Sequence, residues 1–556
     1  MSESLDSWIA RELRHAAAQM MRSISPIEVI KERPGFGQVI RPKPGAIVAS
    51  PVLASYDPDP DYFFHWYRDS AVIVDALRVL AEGSLGSSGA CKDAASGGVA
   101  RGDVASGDLA GSEFASGEFV RCALRHLADF VTFSLGLREL DGRALVAAPA
   151  WREKVHRNFV RFLRTDADLA QVHGEAVAAD TRVNADGTLD ISSWARPQHD
   201  GPALRALALV RWLRSEVWRA AGDRGSARKP PGSAPERSAP QTPVDGSVGE
   251  PAPDPALDPA FEAAATLLRQ DLAFTRAHWR EPCFDVWEEE LGSHYYTLCV
   301  AAAALDEGAD WLDARGAAAE AQACRADAAA IRDRLDGYWL AEEGFYRSRL
   351  LASGERSSKE LDISVVLAAI HADAPGPRHS VRDPRIHATL ARLDALFEAE
   401  YPINRNRPAA RAPALGRYKG DVYYSGGAYY FSTLGAAELC FRAAAAAAQA
   451  GANGARAAEP PGAAGTTQTS DTNVRALIAS GDAYLETVRA FTPPSGDLSE
   501  QFDQRSGEQT SAKHLAWSYA AFITCVAARR AALLRTSVRA HEDFSARFRG
   551  ALNPAS

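Results

Sequence analysis

Loops rich in aromatic and charged residues recur before every second helix of this 556-residue chain, and that alternation limits its fold more than any other feature. Apolar residues at helical spacing, such as Phe119, Ala123, Leu124, Leu127, Val131 and Leu135, mark one buried face each time. The pattern predicts twelve helices, near 4–22, 69–82, 118–136, 201–221, 259–278, 293–306, 314–336, 362–371, 386–401, 424–449, 474–491 and 510–535. Strand signals are few; residues 183–191, with their Asn-Ala-Asp-Gly turn, predict a short hairpin. Trp66-Tyr67-Arg68-Asp69-Ser70 opens the second helix, the run from Trp194 to Pro202 the fourth, and Trp287-Glu288-Glu289-Glu290 precedes the sixth. Leu361-Asp362-Ile363-Ser364 opens the eighth, Arg417-Tyr418 through Tyr424 the tenth, and Ser499-Glu500-Gln501-Phe502-Asp503 comes shortly before the twelfth. With helices alternating between an inner and an outer ring, all six loops converge on one mouth. The predicted fold is therefore all-α, an α/α barrel with its pocket at the N-terminal ends of the inner helices.

Three stretches interrupt this pattern, at 83–117, 222–259 and 451–473, dominated by Gly, Ala, Ser, Pro and Thr. They bury too little apolar area to offset chain entropy and are expected to be surface insertions within one domain spanning 1–556. A net charge of -9 and the lack of a Lys/Arg stripe argue against nucleic acid as a partner. The 7 cysteines form no metal-type or redox pair, so neither a metal nor another cofactor is expected. Residues 1–22 lack the apolar core of a secretory signal, and no run approaches the roughly 20 apolar residues of a membrane span. A cytoplasmic monomer without membrane contact is the expectation.

Residues 284–296 carry the most chemistry: Asp285 and three adjacent glutamates sit beside Trp287 and lead into an apolar helix. The other loops add carboxylates (Asp69, Asp200, Asp421, Glu500), arginines (Arg68, Arg196, Arg417) and large aromatics (Tyr62, Trp66, Trp194, Tyr423, Tyr519). Sugars present flat apolar faces rimmed by hydroxyls, which aromatic platforms and charged hydrogen-bonders match. Cleaving a glycosidic bond needs two carboxyl groups in different protonation states, one protonating the leaving oxygen and the other activating water or attacking. Glu288 and Glu500, from separate loops, fill those places, although nothing local selects among Glu288, Glu289 and Glu290. No metal-spaced cluster, phosphate-cradling loop or nucleophile elbow competes. His199 and His294 read as pocket or core hydrogen-bonders, and Ser511 as part of a helix N-cap.

At these residues the chain resembles the glucoamylases, glycoside hydrolase family 15. The resemblance begins at Leu5-Asp6-Ser7-Trp8 and runs through residues 45–50, Pro60-Asp61-Tyr62-Phe63, Trp66 to Ser70, Arg196 to Arg205 and Asp285 to Gly292. It continues through Arg417-Tyr418, Asp421 to Tyr424, Ser499 to Asp503, Gly507-Glu508-Gln509 and Trp517-Ser518-Tyr519. It implies an (α/α)6 barrel, a six-hairpin toroid, that hydrolyses α-glucosidic bonds from the non-reducing end with inversion to β-glucose. By resemblance Glu288 is the general acid and Glu500 the general base; Arg68, Asp69, Glu289, Arg417 and Asp421 hold sugar hydroxyls. Trp194 lines the next subsite, and Tyr62, Trp66 and Trp287 shape the pocket. The two carboxyls are then expected about 6.5–9.5 Å apart, leaving room for water. Ser425-Gly426-Gly427-Ala428-Tyr429 departs from the Asn-Gly-Asn-Pro-Trp of fungal members, His199 replaces Asn or Arg, and Lys419-Gly420 replaces Pro-Glu. These changes bear on substrate preference, so trehalose or α-1,6-glucans are alternative substrates on the same fold, and a non-catalytic regulatory barrel is a third reading. No starch-binding module is expected, which favours soluble oligosaccharides or glycogen.

Overall fold

A helix with apolar residues on several faces must be covered on several sides, and that need falls on the even-numbered predicted helices, which follow the polar and aromatic loops. In the computed structural model, which describes residues 3–55, 58–94, 116–219, 257–457 and 464–552, they form the inside of a ring. Among the described residues, twelve α-helices of nine residues or more build it. They are α1 (Leu5–Met21), α2 (Tyr67–Ala94), α3 (Ser116–Leu137), α4 (Asp200–Arg214), α5 (Leu257–His278) and α6 (Tyr295–Asp313). Then follow α7 (Ala318–Asp336), α8 (Ser364–Ala372), α9 (Pro384–Glu400), α10 (Tyr430–Ala457), α11 (Ala464–Phe491) and α12 (Ala516–Leu552). Helices α2, α4, α6, α8, α10 and α12 each pack on the next in that order, and α12 closes back on α2. Helices α1, α3, α5, α7, α9 and α11 lie outside them, so the α/α barrel expected from the loop pattern is the fold observed.

Burial separates the two rings. In α4 every residue but Arg211 and Arg214 is buried, whereas outer α7 buries only the stripe Ala321, Cys324, Ala328, Ile331 and Leu335. Two of the polar side chains that enter the inner ring tie helices together. Trp212 on α4 donates its indole N–H to Val74 O of α2 at 2.9 Å, and Arg205 ties α4 to α5 through a bidentate pair with Asp271 at 2.7 Å. Pro384 opens α9 at the position where a missing N–H costs nothing, with Asp383 capping the turn from the side chain.

Short antiparallel ribbons at the N-terminal ends of the inner helices carry the loops. Phe64–Trp66 pairs with Arg182–Asn184; Cys283–Phe284 pairs with Leu291–His294, which pairs with Arg349–Leu351; Gln501–Phe502 lies between Ala428–Tyr429 and Gln509–Thr510. The expected hairpin at 183–191 is present in short form: Asn184 N–H bonds Thr188 O and Gly187 N–H bonds Asn184 O, each at 2.9 Å, Val183 bridges Leu189, and the strand also pairs with Phe64–Trp66. Two helices start later than the periodicity suggests. The stretches 424–429 and 510–515 form turns and strand instead, with Tyr424, Ser511 and His514 at positive φ. Helix extends into stretches expected to be loops: α2 runs to Ala94, α10 to Ala457, and α11 begins at Ala464. Residues 95–115, 222–256 and 458–463 of the three insertions lie outside the described residues. Among the described residues no helix is long and apolar enough to cross a membrane.

Candidate active site

The turn from Asp285 to Leu291 separates three consecutive glutamates by giving each its own partners. Arg349, buried behind the turn, holds Asp285 at 2.7 Å and Glu290 at 2.9 Å and also pairs with Asp362. Asp285 in turn accepts the backbone N–H groups of Glu289 (2.7 Å) and Glu290 (3.2 Å), and Ser357 donates to Glu290 at 2.8 Å. Glu289 accepts from Arg417 (3.0 Å), Lys359 (2.7 Å) and Tyr418 OH (2.5 Å). Glu288 turns to the mouth of the barrel on a backbone with φ 65° that a residue with a Cβ adopts only when its surroundings hold it there. Its Oε1 accepts Trp66 Nε1–H at 2.9 Å and Arg68 Nη2–H at 3.0 Å, and its Oε2 accepts the indole N–H of Trp194. The buried Arg349 cluster keeps Glu290 out of the hollow, while Glu289 reaches it with its carboxylate already paired to Arg417, Lys359 and Tyr418.

Glu500 arrives from the far side of the ring, on the residue before the central strand Gln501–Phe502. Its backbone N–H bonds Ala512 O at 2.8 Å, which fixes its height over α12. Tyr62 OH donates to its Oε1 at 3.3 Å, and Ser511 Oγ donates to its Oε2. Burial pushes the Glu500 carboxyl up to about 7, against the pull of the Ser511 hydroxyl and Arg417. Ser511 was expected as a helix cap; α12 starts five residues later at Ala516, and the hydroxyl serves Glu500 instead. No local pattern could reveal that, since the contact depends on how the strand Gln509–Thr510 lies beside Gln501–Phe502.

Both carboxyls line one hollow of about 240 Å³ at the barrel mouth. Tyr62, Trp66, Arg68, Asp69, Trp194, Trp287, Glu289 and Arg417 line it with them, as expected from the sequence. Trp287, Phe431 and Trp517 stack beneath, with Phe431 and Trp517 4.6 Å apart and 11° from parallel. Phe431 and Trp517 sit in the first turns of α10 and α12, where they read as ordinary core aromatics. Arg68 is shared between Glu288 and Asp69, both 3.0 Å from Nη2. Burial raises the Asp69 carboxyl, against the pull of Arg68.

Four expected residues stand back from the hollow. Asp421 does not line it; it holds Arg417 through two 2.7 Å bonds, so it orients a pocket residue rather than meeting a ligand. Tyr519 is buried and accepts Leu498 N–H at 3.0 Å. Arg196 pairs with Asp180 and Asp190, beside the hollow. Asp200 is fully buried under Arg68 with both oxygens lacking hydrogen-bond partners, and burial lifts it to about 7. Gly201 permits that close stacking, since a Cβ there would lie 2.6 Å from Tyr67 Cβ. His294 bonds Cys283 O at 2.8 Å in the core, and His199 lies buried against Phe274 and His278. No group of three or more metal-ligating side chains occurs among the described residues.

The arrangement places two acidic groups with different partners around a hollow walled by aromatic faces and cationic N–H donors. Comparison with known proteins gives that geometry a context. The family described as Glycosyl hydrolases family 15 matches residues 178–527. The chain is 30% identical to a glucoamylase of Neurospora crassa over 364 residues, which cover 62% of this chain and 51% of that protein. It is 25% identical to glucoamylase 1 of Rhizopus oryzae, over 96% of this chain and 72% of the relative. An intracellular, sporulation-specific glucoamylase of Saccharomyces cerevisiae is 23% identical over 94% of this chain and 83% of its own length. The alignments thus span from about half to most of these relatives. Among solved structures, the Hypocrea jecorina family 15 glucoamylase superposes with a TM-score of 0.65 at 22% identity, covering 95% of this chain and 72% of its own. The Saccharomycopsis fibuligera glucoamylase gives 0.65 at 19% identity, covering 95% and 96%. Those superpositions establish the barrel, and with the match across residues 178–527 the chain belongs to glycosyl hydrolases family 15.

Proposed function

We propose that the chain is an inverting, exo-acting glycoside hydrolase that releases β-D-glucose from the non-reducing ends of α-1,4-glucans or maltooligosaccharides. The observation that carries this is the placement of Glu288 and Glu500, 212 positions apart in sequence, in the lining of a single hollow. Glu288 donates the proton to the leaving glycosidic oxygen, and Glu500 takes a proton from the attacking water. A base whose carboxyl sits at about 7 is matched to work near neutrality. The allocation of donor and base between the two follows the sequence motifs that contain them. Arg68, Asp69, Glu289 and Arg417 supply charged partners for the hydroxyls of the terminal glucose, and the Trp287–Phe431–Trp517 stack closes the floor, which suits removal of one end unit at a time. Trp194, 42% exposed at the mouth, offers a ring face to the following unit. We place the protein in the cytoplasm as a monomer; the Saccharomyces cerevisiae relative is described as intracellular, and the six described cysteines are all free, as a reducing compartment allows.

A proton NMR time course of maltotriose digestion tests the reading. The account expects β-glucose as the first anomer released, with maltose as co-product. First release of α-glucose, or cleavage of trehalose alone, overturns it.

A further inference from the structure

The residue read as catalytic base rides on a ribbon whose two ends meet at one hydroxyl. The segment 498–514 folds back on itself through Gln501–Phe502 and Gln509–Thr510, with Glu500 near its start and its partner Ser511 near its end. Tyr519, fully buried in the first turn of α12, accepts the backbone N–H of Leu498 at 3.0 Å and lies 2.9 Å from His514 Nδ1. The phenol thus joins the chain just before Glu500 to the chain just after Ser511. His514 sits there at φ 49°, a conformation that a residue with a Cβ keeps only while its neighbours hold it.

The hydrogen of that phenol identifies the form His514 takes. A hydroxyl that accepts from Leu498 still has its own hydrogen to place, and among the described residues its one acceptor is His514 Nδ1. An imidazole nitrogen accepts only while it carries no proton, so the bond requires neutral His514 with its hydrogen on Nε2. The same Nδ1 faces a second partner, Asp497 Oδ1 at 3.8 Å, which His15 Nε2 of α1 meets at 2.9 Å. A protonated Nδ1 is a donor: it no longer takes the phenol hydrogen, and the Asp497 carboxylate draws it. Burial holds the His514 imidazole below its ordinary value against the pull of Asp497, and Arg22, His15 and Lys513 push the same way as burial. The charge of Glu12 in α1 also reaches Asp497 and Tyr519. The neutral form is therefore the resting one at neutral pH, and the change of partner falls on the acid side.

We propose that the Tyr519–His514 bond is a proton-sensitive latch on the ribbon that carries the general base: neutral His514 keeps the ribbon closed, and protonated His514 releases Tyr519, turns toward Asp497 and slackens the seat of Glu500. The proposal rests on the hydrolase reading above and deepens it by naming a regulation of that site. Tyr519 and His514 are positioning residues, since neither lines the hollow. Activity then falls twice on the acid side, once through protonation of Glu500 and once through protonation of His514.

The test follows kcat on maltotriose between pH 4.5 and 8 in the wild-type chain, His514→Asn and Tyr519→Phe, with circular dichroism melting as a check on folding. Asparagine tolerates positive φ and offers an amide oxygen in place of Nδ1, with no proton to gain. His514→Asn should therefore keep about 3- to 10-fold more of its own pH 7.5 rate at pH 5 than the wild-type chain keeps, the range of one hydrogen bond. A retained fraction within twofold of wild type overturns the latch. Tyr519→Phe lacks the latch at every pH and should be about 3- to 10-fold slower at pH 7.5; a rate there within twofold of wild type overturns it as well. An NMR titration of the His514 imidazole reads the bond without turnover. Removing a donor to the neutral ring should raise its pKa in Tyr519→Phe, and an unchanged value overturns the latch. If one variant fails to fold, the other decides by the same criteria. A wild-type chain that releases no glucose from maltotriose overturns the hydrolase reading and the latch's part in catalysis, while the titration still decides whether the bond exists.

Discussion

Replacing Ser511 by Ala removes one hydroxyl and one hydrogen bond, and the consequence can be worked out in advance. The hydroxyl donates to Glu500 Oε2 in a fully buried setting, so it stabilises the ionised form of the carboxyl over the neutral one. Glu500 already stands at about 7 because burial outweighs that help. A hydrogen bond to a charged group contributes about 1.5–3 kcal/mol, and 1.36 kcal/mol corresponds to one pH unit. Tyr62 keeps its own bond to Oε1, so the lower end of the range applies and a rise of about one unit is expected. A base must be ionised to accept a proton from water, so raising its proton affinity removes activity from the acid side. The acidic limb of kcat/KM against pH should therefore move upward by about one unit, with roughly tenfold less activity a unit or more below the wild-type limb and little change above it. Initial rates of glucose release from maltotriose between pH 4 and 9 read this directly. A limb that stays in place, or moves toward lower pH, refutes the role given to Ser511 and the ionisation required of Glu500.

Two further outcomes concern stability. Arg349→Met leaves Asp285 and Asp362 buried without their cation, which should cost about 3–5 kcal/mol in urea unfolding; a loss under 1 kcal/mol contradicts the claim that this cluster holds the turn from Asp285 to Leu291. Glu12 in α1 is buried with neither oxygen hydrogen-bonded, and burial lifts its carboxyl to about 7. A raised folded-state value means the folded form binds the extra proton, so the stability it supports is full at pH 4 and is lost as pH rises toward 7 and beyond. Glu12→Gln should then be more stable than wild type at pH 8, by on the order of 2 kcal/mol, with the difference shrinking toward pH 4; equal stability at both pH values sinks the argument.

Helix periodicity and the alternation of loop chemistry were enough to place the barrel, because both follow from which side chains a helix must hide. The same signals fixed neither the start of α10 nor that of α12. There the chain turns through positive φ at Tyr424 and Ser511 to form ribbon, and the energy for that comes from strands distant in sequence. Most of the hollow was legible, since Trp66, Arg68, Asp69 and Arg417 stand in the loops themselves. Asp421 was misplaced because a carboxylate that orients an arginine and one that meets a sugar look alike in one dimension. The different surroundings of the three glutamates came from Arg349 on a strand, and Ser357 and Lys359 in the loop after it, all more than fifty residues downstream.

The division of labour between Glu288 and Glu500 is tested most directly by changing the leaving group. Fluoride departs from α-D-glucosyl fluoride without needing a proton, so a variant lacking the acid recovers on it while a variant lacking the base does not. The account predicts that Glu288→Gln and Glu500→Gln both lose several orders of magnitude in kcat on maltotriose, and that only Glu288→Gln regains most of its rate on the fluoride. Recovery in Glu500→Gln instead, or maltotriose hydrolysis at the wild-type rate in either variant, contradicts it.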